Sequence, residues 1–211
     1  MPRKPAHEQF DALQALREQA FALFGRYGYE GVSIGAIGKA AKLSKSALYW
    51  HFDNKQKLYL DCQRQLHAIF NAYIFDPMRA QRDGVARVLT LFTGLGQMLR
   101  DPRVTKGVAG YWLIPARPET APIVAAQRAF EAACIDTMTE TLRLGVEQGR
   151  FDYKDDLDDM ARAIIALVEA VILPMRQQSA EDVHRILAVL ARSLFRAYAT
   201  ADDLLKLTRS L

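Results

Sequence analysis

Residues 31–55 read G-V-S-I-G-A-I-G-K-A-A-K-L-S-K-S-A-L-Y-W-H-F-D-N-K. One local grammar occurs twice in this stretch. Ser33 stands just before Ile34, where an N-cap is wanted, and a serine oxygen there accepts from a backbone N–H that the helix leaves unpaired. Val32 before the cap and Ile37 at the fourth helical position have the spacing of a hydrophobic staple. Ser44 repeats the role, with Leu43 before it and Leu48 at the fourth position. Two short capped helices separated by a tight turn predict a helix-turn-helix. Ile34, Ile37, Ala40, Ala41, Leu43 and Leu48 are expected to pack the pair against a preceding helix.

The second short helix carries Lys45, Ser46, Ala47, Tyr49, Trp50 and His51. A cation, a hydroxyl and aromatic donors together are the types that contact phosphates and base edges. The competing reading makes Tyr49 and Trp50 core residues. Phe52, just past the helix end, is assigned to the core.

Outward from this segment the chain reads as all-α, with helical spacing recurring and no run of clean alternation. Phe10, Leu13, Leu16, Ala20, Leu23 and Phe24 step along one face of a first helix, which Tyr27-Gly28 and Gly31 end. A longer helix starts near Asn54-Lys55 and runs towards Asp76-Pro77, where proline is expected to break it. Gly84–Leu99 fits another helix, stopped by Asp101-Pro102, and residues 103–122 read as a short helix and a loop. Ile123–Gln148 is a long helix with Gly149 as its stop. Asp155, Asp156, Asp158 and Asp159 crowd the start of the next, where the macrodipole favours negative charge. Met160, Ile164, Leu167, Val168, Val171 and Met175 form the apolar face of that helix, and Val183, Ile186, Leu187, Leu190, Leu194 and Tyr198 that of the last.

The charge is unevenly spread. Of 28 bases and 24 acids in the 211 residues, nine bases and five acids fall in residues 1–60, so the net +4 sits there and the remainder balances. A basic front on a neutral body suits a polyanion-binding head. Cys62 and Cys134 lie far apart, with no metal spacing and no disulfide pattern, so a reducing cytoplasm is the expected location. Met1–Phe10 is polar and charged, so no secretory signal is expected there, and Ala161–Met175 is too short for a membrane span.

The run L-Y-W-H-F-D-N-K, preceded by G-Y-E-G-V-S-I and L-S-K-S-A, resembles the DNA-binding segment of the tetracycline-repressor (TetR) family. The resemblance covers about Leu16 to Leu60 and implies a three-helix head, a linking fourth helix, a larger all-α domain and a homodimer. Carried onto matching positions, it makes Ser33, Lys45, Ser46, Ala47, Tyr49, Trp50, His51 and Lys55 DNA-facing. Ser33, Tyr49, His51 and Lys55 are expected mainly at phosphates, and Lys45, Ser46 and Ala47 at bases. The family commonly has glycine in the turn, where Lys42 stands here, and often glycine at the position of Ser46. Gly35 and Gly38 within the first short helix suggest close packing or a loose helix.

The expected division is a helix-turn-helix head at residues 1–54 and an effector-binding and dimerising body at residues 55–211, with the helix from Lys55 as the lever between them. By resemblance, part of the apolar stripes of the last two helices forms a dimer interface, and the operator is a near-palindrome read by two heads. Phe70, Phe92, Tyr111, Trp112, Phe130, Cys134 and Met138 are the candidate lining of an apolar effector pocket, each also readable as ordinary core. Tyr111-Trp112, beside glycines and prolines, is the candidate wall or lid. The expected partners are an operator duplex, a small effector and a second copy of the chain, with no membrane, metal or cofactor. No Gly-rich phosphate loop, nucleophile elbow or metal-spaced histidine pair argues for an enzyme. An activator of the same fold, a DNA-binding protein without effector control, and a head kept only as an interaction module are the rival readings.

Overall fold

The computed structural model describes the backbone at residues 6–172 and 179–210, and the side chains there except at 6–11, 45, 171–172, 180, 202–203 and 210. Phe10, Val171 and Met175, assigned above to apolar faces, lie outside the described side chains, as does the side chain of Lys45. The elements are α1 (Ala6–Tyr27), α2 (Ile34–Ala40), α3 (Lys45–His51), α4 (Lys55–Phe70), α5 (Asp76–Ala80), α6 (Gly84–Met98), α7 (Ala121–Glu147), α8 (Leu157–Ile172), α9 (Ala180–Tyr198) and α10 (Asp202–Lys206). The only β pairing among the described residues is an isolated antiparallel bridge between Phe151 and Ala199. No helix among them is long and apolar enough to cross a membrane. The chain is an all-α protein with an N-terminal helix-turn-helix and further helices behind it.

The contacts divide the chain into two compact units, one of residues 1–67 with 105–127, the other of residues 68–104 with 128–211. In the first, α1 buries Leu16, Ala20 and Phe24 at the spacing read from the sequence. Gly28 ends α1 with φ 74°, a left-handed turn that costs glycine no Cβ clash. The turn after it delivers Tyr29 and Val32 to the core. An aromatic cluster holds this unit together. Tyr59 of α4 meets Phe24 edge-on at 4.9 Å, Tyr29 at 5.2 Å and Tyr111 at 5.3 Å between ring centroids. Burying one such ring contributes on the order of 2–3 kcal/mol.

In the second unit the expected break at Pro77 is absent, which corrects the sequence reading. After α4 the chain makes one π-helical turn, Asn71–Phe75, in which the Asp76 N–H bonds to the Asn71 carbonyl, and continues helically as α5. Proline then falls in the first turn of the following segment, where its missing N–H removes less from the ladder. The Tyr73 carbonyl, which an unbroken α-helix would pair with residue 77, packs against the backbone of Gly94 in α6, where a Cβ would overlap it. Asp83 caps α6 through Ala86 N at 2.8 Å.

The long helices follow their stripes: α8 buries Met160, Ile164 and Val168, and α9 buries Val183, Leu187, Ala191 and Phe195. Leu167 and Ile186, counted with those stripes, are exposed instead, because they lie off the buried line of each helix. The chain continues past the expected last helix into α10 and a 3₁₀ turn, Leu207–Ser210, and Leu204 and Thr208 there are buried.

Candidate nucleic-acid interface

Both predicted caps form. Ser33 Oγ accepts from Ala36 N at 3.1 Å and Ser44 Oγ from Ala47 N at 3.2 Å. Because Ser33 uses an acceptor lone pair at the cap, its hydroxyl hydrogen is still available to donate. The turn between the helices closes through Lys42 N to Lys39 O (3.2 Å) and Leu43 N to Gly38 O (2.8 Å). Lys42 takes φ 55°, a left-handed conformation that the glycine common in the family's turn adopts freely and a lysine does not. Gly38 is buried, and a Cβ there would sit 3.1 Å from the Leu43 carbonyl, so it answers to close packing. Gly35 is exposed, and its built Cβ meets only Ser33 Oγ, at 3.9 Å.

Ile37 of α2 and Leu48 of α3 are fully buried and hold the two helices to the first unit's core. With Leu48 inward, residues 46, 49 and 50, spaced for one helical face, are turned out. Ser46 is exposed, with Oγ 3.0 Å from Ser44 Oγ. Tyr49 is 44 % exposed and Trp50 65 %, so neither is a core residue. Ala47 is half-buried. Phe52, assigned to the core, is only half-buried, because it is the extended C-cap of α3 and not a residue of the helix.

His51 is half-buried, and its ring meets Trp50 edge-on at 4.8 Å. Burial, and then the Arg17 guanidinium, lower its pKa below 6.5, so at neutral pH it offers a hydrogen bond and not a charge. Lys55, at the first turn of α4, places Nζ 4.2 Å from the centroid of the Tyr29 ring. Partial burial lowers the ammonium pKa, and Glu30 works against that shift. Asn54 caps α4 through Lys57 N at 2.8 Å, and Lys57 pairs with Asp53. The sequence reading missed Lys39 and Lys42 as part of this surface. Both are exposed at the turn, and a count of charge by position within the motif was the signal available for them.

The seven residues considered for an effector pocket fall in both units. Tyr111 and Trp112 belong to the first. Tyr111 is fully buried, donates from Oη to the Phe21 carbonyl at 3.1 Å and stacks at a tilt on Phe21 at 5.4 Å; Trp112 is half-buried. Phe70, Phe92, Phe130, Cys134 and Met138 belong to the second. Phe130 meets Phe70 and Phe75 edge-on at 6.0 and 6.2 Å, and Cys134 and Met138 follow it at four-residue spacing along α7. Burial, with Glu169 and Glu131 adding to it, pushes the Cys134 thiol up to about 12, which leaves it unreactive at neutral pH. Phe92 lines an apolar cavity of about 200 Å³ with Ile164, Leu167, Leu190 and Tyr198.

Comparison with known proteins agrees with this geometry. Residues 16–62 match the family described as "Bacterial regulatory proteins, tetR family". The chain is 37 % identical over 59 residues to the HTH-type transcriptional regulator AcrR of Shigella flexneri, covering 28 % of this chain and 27 % of that one. It is 33 % identical over 57 residues to the biofilm operon icaADBC HTH-type negative transcriptional regulator IcaR of Staphylococcus epidermidis, covering 27 % and 29 %. These matches span less than a third of either relative. Along most of its length the chain shares its fold with the protein in a SmeT–triclosan complex, with a TM-score of 0.73 at 23 % identity over 92 % of this chain and 93 % of that one. The proteins it resembles are regulators and not enzymes. Residues 16–62 are thus similar to the tetR family of bacterial regulatory proteins, and the fold around them is one that the chain shares with solved proteins.

Proposed function

We propose that the chain is a ligand-responsive transcriptional repressor that binds a palindromic operator as a homodimer and is released by a small apolar or aromatic effector. The observation that carries the reading is α3. Among its described side chains, Leu48 is the one large residue that is buried and fixes it to the core, and Ser46, Tyr49 and Trp50 are left facing solvent beside a capped turn. Lys45 and Ser46 approach base edges, while Ser33, Tyr49 and Lys55 hold phosphates, His51 adds a neutral hydrogen bond and Ala47 and Trp50 supply apolar contact. IcaR is a negative regulator by name, which supports repression. The triclosan complex of SmeT supports an apolar aromatic effector.

Residues 1–54 act as the head and residues 55–211 as the effector-binding and dimerising body, working in the cytoplasm. Exposed Leu167 on α8 and exposed Ile186 and Val189 on α9 give those helices an apolar face suited to a second copy of the chain. A two-fold pair of heads then meets half-sites about 34 Å apart. An effector acts by binding better to conformers whose heads are wrongly spaced, and it shifts the population by no more than that difference in affinity.

Selection of bound sequences from a random duplex pool tests the reading. Recovery of one palindromic site, lost in Lys45→Ala and in Tyr49→Ala, is the expected result. Recovery of no preferred sequence by the unliganded protein would overturn it.

A further inference from the structure

His184, Leu187 and Ala188 of α9 stand three and four residues apart and share the face turned to α6. Ile186 and Val189, exposed on the same helix, lie off that face. Opposite, α6 presents Phe92, Gly96, Gln97 and Arg100, and the two helices flank a cleft of about 180 Å³. All of these residues belong to the second unit. Phe92, Leu187 and Ala188 are buried and give the cleft an apolar lining.

Its polar end is built around a missing side chain. A Cβ on Gly96 would stand 3.3 Å from His184 Nδ1 and 3.9 Å from Arg100 Nη1, so both nitrogens lie within 4 Å of one point. Arg100 spends one N–H on the Gly96 carbonyl, at 2.9 Å. A guanidinium has five, and among the described residues no carboxylate and no other acceptor meets this one. The acids nearest in sequence are engaged elsewhere, Asp101 by Arg103 and Tyr73, Glu181 and Asp182 by Arg185. His184 is half-buried and has no hydrogen-bond partner among the described residues. Gln97, exposed at the rim, adds an amide donor.

These features select a ligand class. A guanidinium repels a cation and forks onto a carboxylate. One fixed positive charge suits a monoanion better than a dianion. The apolar lining suits a hydrocarbon body, and an apolar cavity of about 150 Å³ is enough for a benzene ring.

We propose that the cleft between α6 and α9 binds a small organic monoanion, its carboxylate on Arg100 and His184 and its apolar body on Phe92, Leu187 and Ala188. Of the residues considered for an effector pocket only Phe92 takes part, and the inference stands whether or not the chain responds to an effector.

The test uses the full chain and calorimetry at constant ionic strength. The probes are benzoate, benzamide as its uncharged isostere, and acetate as a carboxylate without a ring. Benzoate is expected to bind about tenfold more tightly than either of the others. Arg100→Gln should bring benzoate down to the affinity of benzamide. Gly96→Ala sets a methyl group where the two nitrogens converge and should weaken benzoate about tenfold, while alanine favours the helix over glycine. Thermal melting checks that each variant folds.

Benzoate weakened in both variants, with both melting as the parent does, would establish the site. Benzoate that fails to saturate by about 10 mM would overturn it, since even a modest gain per atom gives a ligand of this size that affinity. So would benzamide or acetate binding as tightly as benzoate, or a benzoate affinity unchanged in either variant.

Discussion

The surface of α3 and the surface of α8 and α9 are built in opposite ways. α3 has seven residues, is held by a serine cap and one fully buried leucine, and turns hydroxyl and aromatic donors outward. α8 and α9 have 16 and 19 residues, are held by continuous buried stripes, and turn Leu167, Ile186 and Val189 outward. A helix as short as α3 does not persist on propensity, so its caps and its buried anchor set its position, and its exposed residues are placed to serve recognition. The long helices owe their stability to burial along their length, and Leu167, Ile186 and Val189 are an apolar remainder among exposed residues that are otherwise charged, polar or small. Substitution should therefore separate the two surfaces: outward changes on α3 alter DNA binding at little cost to folding, and inward changes on α9 do the reverse.

The largest effect is expected at Phe195. It is 1 % exposed and meets Phe151 edge-on at 5.4 Å. Phe195→Ala should cost about 3–5 kcal/mol of folding stability, read from denaturant midpoints. A loss below about 1 kcal/mol would show that the stripe of α9 is not the support described.

Tyr49→Ala is the counterpart. It should weaken operator binding by about 2 kcal/mol, or about thirtyfold, while unfolding stays within about 0.5 kcal/mol of the parent. A variant that loses stability and keeps its affinity would reverse the roles assigned to the two surfaces.

What was legible in the sequence followed the range of each contact and not the region it lies in. Ser33, Ser44, Leu48 and Lys42 declared themselves because each acts within three or four residues of its own position, as a cap, an anchor or a left-handed turn. The helical stripes of the second unit were legible for the same reason. Pro77 was misread because what tolerates it is a π-helical turn packed on Gly94, some twenty residues away in sequence, and local rules carry no trace of that. Tyr111 was read as a wall or lid from its glycine and proline neighbours. Its hydrogen bond to Phe21, 90 residues away, is a product of the fold.

Asp101 shows how much a short-range polar anchor contributes within the second unit. The residue is 5 % exposed, accepts from Tyr73 Oη at 3.1 Å and from Arg103 Nη2 at 2.6 Å, and its carboxyl is held at about 2 by those bonds, Arg103 first. Its folded pKa lies below the ordinary 3.8. The stabilisation is therefore full above about pH 4 and is lost as pH falls through 2. With Arg103 half in solvent, about 1–2 kcal/mol is expected. Melts of the parent and Asp101→Asn from pH 2 to pH 6 should converge at the acid end. Parallel curves across the range would remove Asp101 as the anchor.

The smallest effect lies in the head's turn, where a pair of substitutions isolates backbone strain from charge. Lys42 sits at φ 55°, a conformation costing a non-glycine residue about 1–2 kcal/mol. Lys39 lies in the helical conformation near the end of α2. Both are exposed, so each substitution to glycine removes one solvated ammonium and little packing. Glycine also loses more entropy on folding, by roughly 0.5–1 kcal/mol. Lys42→Gly should thus stabilise by about 0.5 kcal/mol, because relief of strain exceeds the entropy. Lys39→Gly should destabilise by about 0.5–1 kcal/mol, because it relieves none. Opposite signs in paired urea titrations would locate the strain in the turn. Equal signs would mean that the lysine side chains, and not the backbone at Lys42, decide the local stability of the recognition motif.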